Sequence, residues 1–319
     1  MKSGASVRAW LSTLWQTDRR LTFVGVLMLA VLAGSALGIA IDHRTIAGAP
    51  AWLKPAKFAL STSIYSLTLG WFFTFLAEWP RLRRLVSWTT AAVFVMEVGI
   101  IDLQAWRGTT SHFNLSTPLD GALFGLMGIG IIVQTIAAAL VAFALWRQRF
   151  DDRAMGAALR AGMIISLLGA STGGLMTMPT GAQLQQARET GRMPIGGAHT
   201  VGAPDGGPGL PGVGWSLEHG DLRIPHFVGL HAMQALPLLA IWLRRRSSGA
   251  AALRIVRRAA VGYGALFAIL LTQALRGEPF FQPGVATTAL LAAWVVGSGV
   301  AVWAATRRDG QLPSLSVEA

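Results

Sequence analysis

The chain has 319 residues, 53% hydrophobic and only 13% charged, against the ~25% charged fraction of soluble domains. That composition excludes an ordinary soluble domain and predicts an all-α, polytopic membrane protein. Cysteine is absent, which excludes disulfides, thiolate metal centres and a cysteine nucleophile, and the net charge of +12 sits in short clusters between apolar runs, where membrane topology accounts for it better than nucleic-acid binding.

Residues 1–20 carry Lys2, Arg8, Arg19 and Arg20 ahead of an apolar run at 21–41. The run exceeds the ~7–15 residues of a signal-peptide core and reads as a first spanning helix. Further runs follow at about 58–77, 85–105, 121–146, 157–178, 225–243, 259–276 and 284–305. Each approaches the ~20 residues needed to cross a bilayer, so eight transmembrane helices are predicted. With the N-terminus inside, 19 of the 27 Lys and Arg fall on the cytoplasmic side and 8 on the other. The positive-inside rule then places the chain in the cell membrane with both termini cytoplasmic.

Two segments recur at one offset of 169 residues. Leu53-Lys54-Pro55-Ala56-Lys57-Phe58 matches Leu222-Arg223-Ile224-Pro225-His226-Phe227, and Gln104-Ala105-Trp106-Arg107-Gly108 matches Gln273-Ala274-Leu275-Arg276-Gly277. The matched helices run in the same direction, which predicts two parallel four-helix repeats about an axis along the membrane normal. The expected organisation is an N-terminal cytoplasmic segment 1–20, repeats at 21–150 and 151–306, and a cytoplasmic tail 307–319. The connection 179–224, rich in Gly and Pro, is the unmatched insertion. It reads either as a flexible external linker or as a lid over a site, and it has no Gly-Lys-Ser/Thr ending of a phosphate-binding loop.

The third run carries Glu97, Asp102 and Gln104. Glu97 and Gln104 lie about 20° apart on one helical face, with Glu97 ~12 Å inside the outer boundary. An intramembrane carboxylate is a functional candidate by default. Asp102, nearer the end, reads as an interfacial residue paired with a Lys or Arg. The stretch 214–234 brings His219, His226 and His231 to the start of the sixth run. His231 shares a face with Gln234, and His226 is about 140° away, so the two do not make a zincin pair. A metal would need ligands from several elements, among them His112, His219, Glu97 and Asp221. For haem, His231 has Thr62 as its repeat counterpart, so no symmetric pair emerges, and cofactor and metal are left open. Lys54, Lys57, Arg107, Arg223 and Arg276 flank helix ends on the face where cations are disfavoured, which points to an anionic small molecule or a lipid headgroup.

These readings converge on an outward-facing site in the outer half of the bundle. Glu97 and His231 are its catalytic candidates. Gln104, Arg107, His112, Asp221, Arg223, His226, Gln234, Gln273 and Arg276 are its binding candidates. The alternatives are a secondary transporter coupled to protonation of Glu97 and a structural or assembly factor without chemistry. Besides the bilayer, the only partner implied is that anion or headgroup; nucleic acid is not expected.

Overall fold

Polar caps extend the apolar runs into longer helices. Asp18 accepts from the amides of Arg20 and Leu21 at 3.0 Å, Thr117 from Asp120 at 3.1 Å, Asp152 from Met155 at 2.9 Å and Ser248 from Ala251 at 3.3 Å. Pro80 and Pro118 open two others at the first turn, where a missing N–H costs nothing. The computed structural model describes residues 7–307. Its helices are α1 (Val7–Thr17), α2 (Arg19–Ile41), α3 (Leu53–Phe72, continued by a 3-10 turn), α4 (Pro80–Trp106), α5 (Pro118–Arg147), α6 (Arg153–Met176), α7 (Gly181–Thr190), α8 (Arg223–Leu243), α9 (Gly249–Leu275) and α10 (Val285–Arg307).

All but α1 fall within the eight spans long and apolar enough to cross a membrane, α7 being the end of the span Arg153–Thr190 that α6 begins. The chain is an all-α, multi-pass membrane protein. Of the expected cytoplasmic segments, residues 1–6 and 308–319 lie outside the described residues. Where the runs were expected to start late, α3 begins at Leu53 and α9 at Gly249, so Lys54, Lys57, Arg254, Arg257 and Arg258 are helical. Arg83, Arg160 and Arg258, inside the opposite helix ends, donate to carbonyls. Arg160 donates to the Leu145 and Gln148 oxygens at 2.9 and 2.6 Å, at the negative end of α5.

Helix α2 packs chiefly on α3, α6 on α8 and α4 on α5, while α9 is shared among α6, α8 and α10. In lipid, close backbone approach does the work that hydrophobic burial does in water. The α6–α8 crossing is the tightest case, since a Cβ on Gly169 would lie 2.6 Å from the Gly229 Cα. Away from the long loop, Leu69, Phe72 and Phe73 of the α3 end join Leu145, Leu159, Met163 and Met233 in one apolar core.

At the opposite end, two short antiparallel pairs precede α3 and α8: β1 (Thr45–Ile46) with β2 (Ala49–Pro50), and β3 (Thr200–Val201) with β4 (Gly220–Asp221). The connection read as a flexible linker or a lid is largely folded. Thr180 and Gln183 form a capping box that starts α7, and Gln183 also accepts from the Gly197 amide at 3.0 Å. Gly197 has φ +130, and a Cβ there would meet the Met176 oxygen at 2.5 Å. Only glycine fits that turn. The loop is stitched to the α4–α5 connection by Leu115 N–H to Pro194 O and Gly196 N–H to Phe113 O, at 2.8 and 2.9 Å.

Candidate functional site

Glu97 is 2% exposed on α4. Its Oε1 lies 3.6 Å from the His112 Nε2, and its Oε2 is buried without a hydrogen-bond partner. His112 arrives from the α4–α5 connection, its Nδ1 3.1 Å from the Ser111 hydroxyl and its ring 5.3 Å from that of Phe58. The next residue, Phe113, has φ +61, a left-handed conformation that costs a large side chain energy and persists only where surroundings impose it. Here it turns the Phe113 ring onto His199 at 4.8 Å and Phe124 at 5.8 Å. Burial first, then the charges of Lys54 and His199, hold the His112 imidazole well below its ordinary titration range. The ring is neutral at pH 7.

The loop closes this side. His199 and Asp205 pair at 2.6 Å, and Asp205 also accepts from the Thr200 hydroxyl and amide at 2.9 Å and from the His199 amide. Burial works to raise the Asp205 carboxyl, but the His199 ring and the amides outweigh it and hold it below the usual carboxylate range. His199 is shifted down, by burial first, with Asp205 opposing.

Lys54, in the first turn of α3, lies within electrostatic range of Lys57, Glu97, Arg223 and Asp205. Its ammonium is 5.9 Å from the Phe58 ring centre. Lys57 donates to the Val213 oxygen at 3.2 Å. Arg223 is closed on Asp221 through contacts of 2.6–3.2 Å and on the Gly214 oxygen at 2.6 Å, with Asp221 only 1% exposed.

The other sequence candidates are placed as follows. His226 is tied to α6, its Nδ1 2.8 Å from the Gly169 oxygen and 3.1 Å from the Thr172 hydroxyl. His231 lies 4.3 Å from the Phe227 ring, the two planes tilted by 59°, and bonds to Gln234, which also donates to Thr68 on α3 at 3.2 Å. No contact joins His231 to Glu97 among the described residues; the imidazole that meets Glu97 is His112. Buried Gln104 donates to Asp120 at 2.9 Å and accepts from Arg107, which pairs with Asp120 at 2.7 Å. Gln273, also buried, donates to the Pro279 oxygen at 2.8 Å, and Arg276 lies 3.9 Å from Glu278. The helix-end arginines are thus already matched by carboxylates. Asp102 has no ion pair among the described residues, and its Oδ1 is buried without a partner.

His199, Asp205 and Lys54 thus lie around Glu97 and His112. The His199–Asp205 pair had a local signal, two titratable groups six apart in a glycine-rich stretch. Among the described residues no group of three or more His, Asp or Glu is placed to hold a metal ion. Comparison with protein-family models, with curated proteins and with solved structures finds no match.

Proposed function

We propose that this is an integral protein of the cell membrane whose loop end faces outward and holds a polar binding or catalytic site for an anionic small molecule or a lipid headgroup. The donor set of the site carries the reading. Arg223 is closed on Asp221, and Asp205 on the His199 ring and the Thr200 hydroxyl and amide. That leaves the amines of Lys54 and Lys57, one helical turn apart, near the Glu97 carboxyl and the neutral His112. Two amine donors on one helical turn of a partly dehydrated site favour an anion, and an unmatched carboxyl oxygen beside them can receive a hydroxyl of the same ligand. The outward orientation rests on the 19-to-8 distribution of Lys and Arg.

The reading of two parallel repeats is supported by packing and by backbone detail. The pairs α2–α3 and α4–α5 have their counterparts in α6–α8 and α9–α10, and α4 and α9 each run out into a glycine at φ +74, Gly108 and Gly277.

The test is the thermal midpoint of the purified full chain in uncharged detergent with inorganic phosphate, short-chain phosphatidylglycerol or short-chain phosphatidylcholine. A ligand at a hundred times its Kd stabilises by about 2.7 kcal/mol. The expected result is a rise with an anionic probe, none with phosphatidylcholine, and loss of the rise in Lys54→Met; phosphate against phosphatidylglycerol separates a small anion from a headgroup. No rise with either anion, or an undiminished rise in Lys54→Met, overturns the reading. A second reading, a transporter coupled to protonation of Glu97, draws on that carboxylate's buried, unmatched Oε2. It requires an anion-dependent proton flux in proteoliposomes that Glu97→Gln abolishes.

A further inference from the structure

Between α8, α9 and α10 the structure opens a cleft of about 370 Å³, within the ~300–1,000 Å³ of small-molecule sites. Its walls are Phe227, Leu266, Leu270, Phe280 and Leu291, with the Trp215 ring over one end. One polar side chain, that of Gln273, reaches into it.

Gln273 is 2% exposed. Its amide orientation is set by two carbonyls, since Nε2 donates to the Pro279 and Phe280 oxygens at 2.8 and 3.3 Å. The Oε1 must then be the free end, and it is buried without a partner. A buried acceptor left unmet is costly, and one beneath an apolar cleft is relieved by a donor that enters the cleft and displaces the side chains over it.

The residues 169 positions earlier show the contrast. Phe227 becomes Phe58, Leu266 becomes Glu97, Leu270 becomes Ile101 and Gln273 becomes Gln104. There the space is taken by the His112 ring on Phe58, and the Gln104 Oε1 is satisfied by Arg107. In the second half Arg276 is turned toward Glu278 instead, and the ring on Phe227 is that of Trp215, at 5.7 Å, which leaves the cleft open and the Gln273 Oε1 unmet. The cleft is thus distinct from the Glu97 site.

We propose that this cleft binds a lipid whose hydrocarbon chain lies against Phe227, Leu266, Leu270 and Leu291 and whose uncharged head donates a hydroxyl hydrogen to the Gln273 Oε1. The occupant is uncharged at that end because the lining of the cleft carries no charged side chain, and the carboxylates nearest Gln273, Asp221 and Glu278, are already paired with Arg223 and Arg276. It is a lipid because the walls are hydrocarbon and Phe227, in the lining, is 48% exposed on a membrane-spanning bundle.

The test uses the full chain in phosphatidylcholine nanodiscs, photolabelled with a diazirine-bearing monoacylglycerol or its di-methyl ether. The free hydroxyl form should label cleft-lining positions of α8, α9 and α10 about fivefold more than the ether, the size of one net hydrogen bond. Filling the cleft with Leu266→Trp should remove that labelling, and Gln273→Leu should make the two probes equal. Leu291→Phe provides a second filled cleft should Leu266→Trp not purify. Equal labelling by both probes in the native chain, labelling spread over the lipid-facing Val295 and Val296, or labelling unchanged in the filled variants overturns the proposal.

Discussion

The Nε2 of His112 lies 3.6 Å from the Oε1 of Glu97, tying a loop residue to the interior of α4 through a neutral imidazole. The other carboxylate oxygen has nothing, so Glu97 costs stability as it stands. Glu97→Gln keeps the shape and removes the charge. Thermal unfolding should show stability unchanged or raised by about 1 kcal/mol, while anion or headgroup affinity rises about tenfold as the like charge facing the ligand is removed. Lost stability with unchanged affinity would make Glu97 a structural residue.

Acid should destabilise the fold before it reaches the carboxylates. His112 and His199 are both held below their ordinary value, chiefly by burial. The folded state therefore binds fewer protons than the unfolded chain. Their contribution is complete above the unfolded value of ~6.5 and declines as pH falls below it. Asp205, held below the usual carboxylate range, loses its contribution only under ~4. The unfolding temperature should drop between pH 7 and pH 5, and His112→Phe should flatten the drop. A flat native profile, or an unchanged slope in His112→Phe, contradicts this.

Asp205 holds one turn of the loop through four donors, the His199 ring and amide and the Thr200 amide and hydroxyl. Asp205→Asn should release that turn, costing about 1–3 kcal/mol locally. Hydrogen exchange should quicken over residues 197–206 and stay unchanged in α4 and α9. Equal acceleration throughout the bundle would show that the loop does not open as a unit.

The eight spans were legible because, in a chain this poor in charge, little besides a bilayer crossing calls for an apolar run near twenty residues. Their polar first turns were not. Lys57 and Arg254 read as flanks until Leu53 and Ser248 are seen to begin the helices. Glu97 stood out by depth alone, but its partner did not. His112 reaches it through a connection whose path depends on the left-handed Phe113, and nothing local in the chain announces that conformation. Arg223 with Asp221, two residues apart, was a readable pair; Arg107 with Asp120 required the meeting of α4 and α5. Glycine richness suggested flexibility in the loop, yet Gly197 is there for a fixed turn.

Sidedness is open to direct measurement because the chain has no native cysteine. Single cysteines at exposed Glu218, in the long loop, and exposed Arg245, between α8 and α9, lie at opposite ends of α8. A membrane-impermeant maleimide on intact cells should modify Glu218→Cys and leave Arg245→Cys untouched. The reverse pattern would invert the proposed topology.

Where α6 and α8 cross, the Gly169 and Gly229 backbones are in direct contact, with no layer of side chains between them to shear. Sliding or rolling of one past the other would drive main chain into main chain, because neither glycine has a rotamer that can yield. The two helices are mechanically a single rod. Any rocking of the bundle must carry both together, along with the loop anchored at their ends, and the give has to come from joints elsewhere.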